Sequence, residues 1–114
     1  MARKVHHATR DILETIERLQ TVTAGKTFAE FQADWTLRFI VQRGIEIISE
    51  ATRRIPAEIL SMHPGIRWRS IGGIGNVLRH EYHTISDKII WDVVALELPS
   101  LKSAIETIDA GLEP

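Results

Sequence analysis

One histidine near the middle of the chain has neighbours of the kinds that acid–base chemistry requires. His80 follows Asn76 by four residues and Arg79 by one, and Tyr82 lies two residues beyond it. Residues four apart share one face of a helix, so the Asn76 amide can fix the orientation and tautomer of the His80 imidazole. Histidine readily accepts and releases protons near neutral pH. We therefore interpret His80 as a candidate general acid/base.

An arginine beside such a histidine suits chemistry on phosphates. The Arg79 guanidinium can neutralise the charge that develops on a phosphate while a hydroxyl attacks it. RNA supplies that hydroxyl itself, at its 2′ position, so cleavage needs only a proton acceptor and a cation. These residues favour metal-independent RNA cleavage. Their spacing leaves a second interpretation open, in which His80 and Tyr82 only close a helix and hydrogen-bond to the backbone.

Two other chemistries fit the same stretch poorly. His80 and His83, with Glu81 between them, have the spacing of metal ligands, but no well-spaced third and fourth ligand is evident. Gly73 and Gly75 form a Gly-x-Gly pair, yet no predicted strand precedes them, as a dinucleotide site would require. We expect neither a metal nor another cofactor. The three tryptophans are interpreted as core and interface anchors rather than base-stacking platforms: Trp35, Trp68 and Trp91.

The elements that position these residues follow from the spacing of the apolar side chains. Apolar residues recur every three to four positions, which is the period of one helical face. The first run predicts a helix over residues 5–23, which Gly25 ends. Asp34 is a typical cap for a second helix, whose broad apolar face predicts a central place in the core. That helix is expected to end at Ile55, because the residue before Pro56 disfavours the helical conformation.

The same period predicts three further helices. The third covers residues 68–82 and carries His80, and the fourth begins at Ser86 and Asp87. Pro99 is expected to divide the fourth helix from a fifth. No segment alternates with the period of a strand, so the predicted class is all-α with about five helices.

Three glycines interrupt the helix that carries the candidate site. Gly72, Gly73 and Gly75 each cost about 1 kcal/mol relative to alanine in a helix interior. Such a cost needs a compensating interaction. We expect another backbone, or a ligand, to approach this helix closely.

The net charge of −1 conceals an uneven distribution of charge. Residues 1–79 carry 12 basic and 8 acidic side chains, whereas residues 80–114 carry 2 basic and 7 acidic ones. Ten of the 14 basic residues are arginines, which bind phosphates through a planar fork of donors. A nearly neutral chain can therefore present an anion-binding face, although solvated helix surfaces would give the same composition.

Composition narrows the class of protein further. With 114 residues, of which 44% are hydrophobic, the chain is expected to form one domain over residues 1–114. It has no cysteine, which excludes disulfides and thiol catalysis and favours a cytoplasmic location. No apolar run is long enough to span a membrane, and the basic start has no apolar signal core. We expect no membrane association.

Several segments together resemble the HepT-like group of HEPN proteins, which are small all-α domains. The sequence Ile-Glu-Ile-Ile-Ser-Glu-Ala at residues 45–51 is similar to the family's Ile-Gly-Glu-Ala stretch. Residues 64–71 are similar to the family's Pro-x-Ile-Pro-Trp lead into the active helix. Asn76, His80 and Tyr82 match the family pattern Arg-Asn-x-x-x-His-x-Tyr. The resemblance covers nearly the whole chain.

The resemblance implies an architecture and a set of site residues. The fold would be an up-and-down HEPN-type bundle that forms a homodimer with a basic cleft between the subunits. RNA would be the substrate, and His80 would be the catalytic histidine. From the residues themselves we add Arg79 as the cation and Asn76 as the orienting residue. Arg67 and Arg69, from the preceding loop and first helical turn, are further candidates for contact with the RNA.

The resemblance also implies a partner and a covalent modification. Many members are ribonuclease toxins paired with a minimal nucleotidyltransferase antitoxin. In the better-understood pairs this enzyme transfers adenylyl groups from ATP onto the Tyr of the His-x-Tyr motif, which here is Tyr82, the only tyrosine in the chain. A bulky anion two residues from His80 would repel an RNA phosphate.

One position departs from the family pattern. Gly75 stands where the family usually has its catalytic arginine, directly before Asn76. Arg79 is the natural substitute, but adjacent helical residues point about 100° apart. It can then replace the missing charge only if the helix end unwinds or the site is assembled across a dimer. The alternative function is a non-enzymatic HEPN subunit that binds or regulates a nucleotidyltransferase. A weakened nuclease would gain cleavage activity when Arg is restored at position 75.

Overall fold

The computed structural model of the protein describes residues 2–81 and 85–112, and this part of the chain contains helices and no strand. The helices are α1 (Ala2–Thr23), α2 (Phe28–Ala33), α3 (Trp35–Thr52), α4 (Ala57–Leu60), α5 (Trp68–Glu81), α6 (Asp87–Asp92) and α7 (Leu98–Ala110). The all-α class is confirmed. None of the helices in these residues is long and apolar enough to cross a membrane.

Local signals in the sequence determine where the first long helices begin and end. α1 ends at Thr23, as predicted, because Gly25 adopts a left-handed backbone with φ of +72°. The Asp34 carboxylate accepts a hydrogen bond of 3.0 Å from the Leu37 N–H, so its predicted capping role is confirmed.

The predicted end of α3 at Ile55 is wrong by three residues. α3 ends at Thr52, and Arg53 caps it. The N–H groups of Arg54 and Ile55 then donate to carbonyls three residues earlier, at 3.0 and 3.1 Å, which tightens the chain into a turn before Pro56.

The predicted break at Pro99 is also wrong, because the chain remains helical through this region. A π-helical turn, Val93–Glu97, joins α6 to α7, and the Leu98 N–H donates to the Val93 carbonyl five residues earlier. Pro99 then lies in the first turn of α7, where its missing N–H needs no partner within the helix. The widened turn lets the helix pass this proline without a gap.

The helices pack around α3. α1 contacts α3 and α7, and α3 contacts α5 on its other side. The predicted apolar face of α1 is buried, as is the apolar face of α3 in the centre of the core. The α1 residues are Val5, Ala8, Ile12, Ile16 and Leu19, and those of α3 are Leu37, Val41, Ile45, Ile48 and Ala51. α5 is thereby held against the helix that lies at the centre of the described core.

The three tryptophans differ in their surroundings. Trp91 packs on the buried Phe31 ring at a centroid distance of 5.0 Å. The Trp68 Nε1 donates a hydrogen bond of 3.0 Å to the His63 carbonyl at the start of α5. Both therefore pack against the core, as expected. Trp35 does not, because it is 60% exposed and lies on the Phe39 ring at 4.6 Å.

Candidate functional site

α5 crosses α3 so closely that position 75 has no room for a side chain. A Cβ on Gly75 would lie 2.3 Å from the Ser49 Oγ and 2.4 Å from the Ser49 Cβ, whereas favourable contacts between carbon atoms lie at about 3.5–4.0 Å. The buried Ser49 hydroxyl donates a hydrogen bond of 2.8 Å to the Gly72 carbonyl and so ties α3 to α5. The expected close approach is confirmed at Gly75, and α3 is the element that makes it.

The other two glycines of α5 have different surroundings. A Cβ on Gly72 would lie 3.5 Å from the Arg53 Cγ, which is an ordinary contact. A Cβ on Gly73 would have no neighbour within 4 Å, so Gly73 faces open space. One glycine of the three therefore serves the helix crossing, and another leaves the solvent side of α5 bare.

Four exposed residues of α5, three of which are polar, form a row that we call the α5 stripe: Arg69, Gly73, Asn76 and His80. Their spacing of four, three and four residues places them on one face of a helix. Asn76 and His80 thus share a face, as predicted. Among the described residues, no hydrogen bond joins their two side chains.

Arg79 lies on a different side of α5 from His80. It is exposed and follows Gly75 by four residues, so it sits one turn beyond the crossing and towards α3. α5 remains helical as far as Glu81, so the 100° divergence between Arg79 and His80 is retained within one protomer. The helix end that would have to unwind is intact over these residues.

The structure separates the two arginines that were predicted to contact RNA. Arg69 belongs to the α5 stripe and is exposed. Arg67 instead pairs with the Glu97 carboxylate at 3.2 Å, at the rim of an apolar cavity of about 300 Å³ that Ile71 and Ile74 also line. This cavity lies on the side of α5 away from Asn76 and His80.

One arginine beside the α5 stripe was not among the site residues predicted from the sequence. Arg53 is exposed, and its aliphatic stem lies against Gly72 of α5. The neighbouring Arg54 points elsewhere and pairs with Asp11 at 2.8 Å. Arg53 follows Ser49 by four residues, so its position would have been predictable once Ser49 was known to face α5.

Two of the sequence predictions concern residues that the structure does not describe. Tyr82, the expected adenylylation target, lies outside the described residues, as does His83. Within residues 2–81 and 85–112, no three His, Asp or Glu side chains are grouped so that they could hold a metal ion.

The fold and the α5 stripe are those of a small helical protein whose exposed groups suit phosphate chemistry. The comparison with known families agrees, because residues 12–108 match the family described as "Ribonuclease HepT-like". This match covers most of the chain. The protein therefore belongs to the HepT-like ribonuclease family.

Curated relatives support the same family. A protein of Thermococcus cleftensis named "Probable ribonuclease HepT" is 35% identical over 98 residues, which cover 86% of this chain and 89% of the relative. A Methanocaldococcus jannaschii protein named "Putative RNase" is 32% identical over 103 residues, or 90% of this chain and 85% of the relative. A protein of the same name from Caldanaerobacter subterraneus is 33% identical over 97 residues, or 85% and 87%. No solved structure matches the chain significantly.

Proposed function

We propose that the protein is an endoribonuclease that cleaves RNA without a metal ion at the α5 stripe. The observation that carries this proposal is the exposed His80 on one face with Asn76 and Arg69, in a chain of the HepT-like ribonuclease family. A reactive histidine must be accessible to a macromolecular substrate, and His80 is exposed within the part of the chain that the structure describes.

The chemistry requires one proton to be removed and one to be supplied. His80 takes the proton from a ribose 2′-hydroxyl while the 2′-oxygen attacks the adjacent phosphorus. The bond to the 5′-oxygen breaks, that oxygen takes a proton from a water molecule, and the protonated His80 returns its proton to the solvent. The products are a 2′,3′-cyclic phosphate and a 5′-hydroxyl end. Asn76 orients the imidazole once the substrate is bound.

The cation for the phosphate is assigned to Arg79. Because it diverges from His80 within one helix, the two side chains can serve the same phosphate when α5 helices of two subunits face each other. The proposed active form is therefore a homodimer. Arg69 contacts the RNA from the same stripe as His80, whereas Arg67 would first have to leave Glu97.

Cleavage in the presence of EDTA tests the nuclease directly. We expect the purified, unmodified protein to cut single-stranded RNA in EDTA and to leave 2′,3′-cyclic phosphate ends, because a histidine and an arginine replace the metal. End-group analysis of the fragments provides the measurement. An absence of cleavage by folded, unmodified protein would contradict the proposal.

We further propose a minimal nucleotidyltransferase as the partner, in a cytoplasmic toxin–antitoxin pair. The Tyr82 hydroxyl oxygen would attack the α-phosphorus of ATP and lose its proton to a base of the partner enzyme, pyrophosphate would leave, and an adenylyl group would remain on the tyrosine. The position of Tyr82, two residues after His80, supports this because the added anion would repel an RNA phosphate there.

Intact mass spectrometry tests the modification. After incubation with the partner enzyme and ATP, the mass of the protein should rise by whole adenylyl groups, and cleavage of RNA should fall. The Tyr82→Phe variant should gain no mass and keep its cleavage activity under the same treatment. Adenylyl transfer onto Tyr82→Phe would show that another residue is the target.

A non-enzymatic role is the second candidate function, and Gly75 favours it. The family's catalytic arginine is missing at a position where the structure has no room for one. In that case the protein would bind or regulate a nucleotidyltransferase and cut no RNA. The assay in EDTA distinguishes the two functions.

A further inference from the structure

The guanidinium of Arg53 is placed beside the α5 stripe without being used in the fold. Its Cγ and Cδ would lie 3.5 and 3.9 Å from a Cβ on Gly72, so the aliphatic stem lies along α5. No hydrogen bond or ion pair holds its charged end within the part of the chain that the structure describes. The stem is positioned by packing, and the charge is left available.

Arg69 offers a second available cation on the same side of α5. It is exposed and, like Arg53, has no hydrogen-bond or ion-pair partner among the described residues. It precedes Gly73 by one helical turn. Arg53 reaches the same turn from α3, through its contact with Gly72.

Gly73, which follows Gly72 directly and Arg69 by one helical turn, leaves the adjoining surface of α5 open. With nothing within 4 Å of its Cβ position, the α5 backbone is accessible at this point. A phosphate with its ribose can approach such a bare turn more closely than it could approach any turn that carries a side chain. Two arginine forks beside an open backbone suit an anion with several acceptor oxygens.

We propose that Arg53 and Arg69 form a phosphate-binding subsite around Gly73. The subsite holds a phosphate of the same RNA strand whose scissile bond lies at His80. Gly73 and His80 are seven residues apart, or about 10 Å along the helix, and helical side chains lean towards the N-terminus. The inference rests on the proposed function and adds that the RNA backbone runs along α5 from His80 towards its first turn.

The test compares two adjacent arginines that differ in their partners. The probe is a short single-stranded RNA with 2′-O-methyl riboses, which the proposed chemistry cannot cleave, and its affinity is measured over a range of salt concentrations. We expect Arg53→Gln to weaken binding about tenfold and to lower the slope of log affinity against log salt by about 0.7, the value for one phosphate contact with a single strand. Arg54→Gln removes the same charge but leaves the stripe intact, so affinity and slope should stay near the parent values.

A further variant extends the comparison to α5. Arg69→Gln should behave like Arg53→Gln, because the proposed subsite uses both guanidinium groups. Arg53→Lys should recover much of the affinity, since it keeps the charge. Thermal unfolding of each variant confirms that these exposed substitutions leave the fold intact. Equal losses for Arg53→Gln and Arg54→Gln, or no loss for either, would overturn the subsite.

The same measurements separate a failure of the subsite from a failure of the nuclease. Binding that depends on Arg53 in a protein that cuts no RNA would support the subsite and contradict the nuclease. If the parent protein cleaves natural RNA but Arg53→Gln binds the probe as tightly as the parent does, the subsite alone is overturned. If the parent protein does not bind the probe at all, both proposals are overturned.

Discussion

A Gly75→Arg variant is expected to lose its folded structure rather than to gain activity. The Cβ alone would meet the Ser49 Oγ at 2.3 Å, and the rest of the arginine would be driven into the crossing of α3 and α5. Inserting even one methylene into a packed core costs about 1–3 kcal/mol, and an unpaired buried charge costs more. Natural domains have about 5–15 kcal/mol of stability in total. Soluble yield and thermal unfolding followed by circular dichroism measure the effect.

A matched control is available on the same helix. Gly73 faces open space, so Gly73→Arg introduces the same side chain without a clash. It removes a helical glycine, which costs about 1 kcal/mol relative to better helix formers, so this variant should unfold at or above the parent's temperature. If Gly75→Arg unfolds as cooperatively and at the same temperature as Gly73→Arg, the described crossing is wrong.

The clash between Ser49 and a side chain at position 75 also predicts that a second substitution, at Ser49, restores folding to Gly75→Arg. Ser49→Gly removes the two atoms that would clash with a Cβ at position 75 and leaves the Glu46 Cα at an ordinary 3.6 Å, at the cost of the hydrogen bond to Gly72, about 1 kcal/mol. The double variant Ser49→Gly/Gly75→Arg should therefore fold better than Gly75→Arg alone. It also restores the family pattern on both helices, because Ser49 occupies the glycine position of the Ile-Gly-Glu-Ala stretch. The gain of cleavage activity that we expected from Arg at position 75 is thus expected in the double variant.

This coupling shows what kind of information the sequence contains. The three glycines of α5 predicted a close approach, because their low helix propensity has to be compensated by another interaction. They did not indicate which residue makes that approach. Ser49 appears in sequence as one more small polar residue on a helix. Its role depends on a neighbour 26 residues away, and such pairs are fixed by packing rather than by local propensity.

Helix caps and helix ends that depend only on residues close in sequence were predicted correctly. The Asp34 cap and the Gly25 stop involve residues within one turn of each other, and both are confirmed. The Pro99 prediction was wrong because a proline rule considers only the residues next to the proline, whereas a π-helical turn over Val93–Glu97 keeps the chain helical up to it. The predicted helix boundary at Pro99 is therefore wrong, because the turn before the proline compensates for the signal that the proline gives.

The site follows the same division. Helical spacing alone put Asn76 and His80 on one face, and the structure agrees. Helical spacing could not place Arg67, because Arg67 precedes α5, and its partner Glu97 lies far along the chain. Arg53 was missed since it belongs to another helix. A motif within one segment of the sequence cannot identify residues that tertiary packing brings to the site from another helix.

Replacing His80 with alanine is expected to have the largest effect on RNA cleavage. General acid–base catalysis by a positioned side chain contributes about 10²–10⁴-fold to a rate, so His80→Ala should lose cleavage by a factor in that range. Single-turnover cleavage of RNA in EDTA gives the rate. Because His80 is exposed, the thermal unfolding of the variant should match that of the parent.

The His7→Ala variant is the matched control. His7 is an exposed histidine on α1 and has no hydrogen-bond or ion-pair partner among the described residues, so its removal tests for any general effect of losing an imidazole. We expect the cleavage rate and the affinity for the 2′-O-methyl probe to remain unchanged in His7→Ala. The affinity should also remain close to the parent value in His80→Ala, since the histidine acts on a proton rather than on the phosphate charge.

The cleavage rates and affinities of the parent, His7→Ala and His80→Ala together distinguish catalysis by His80 from contamination and from a binding role. A contaminating ribonuclease would cut RNA equally well in preparations of the parent, His7→Ala and His80→Ala. A purely binding role for His80 would lower affinity and rate together. Loss of rate at unchanged affinity, in His80→Ala alone, is the result that a general acid/base at the α5 stripe requires, and a His80→Ala rate within a few-fold of the parent's would remove His80 from the mechanism.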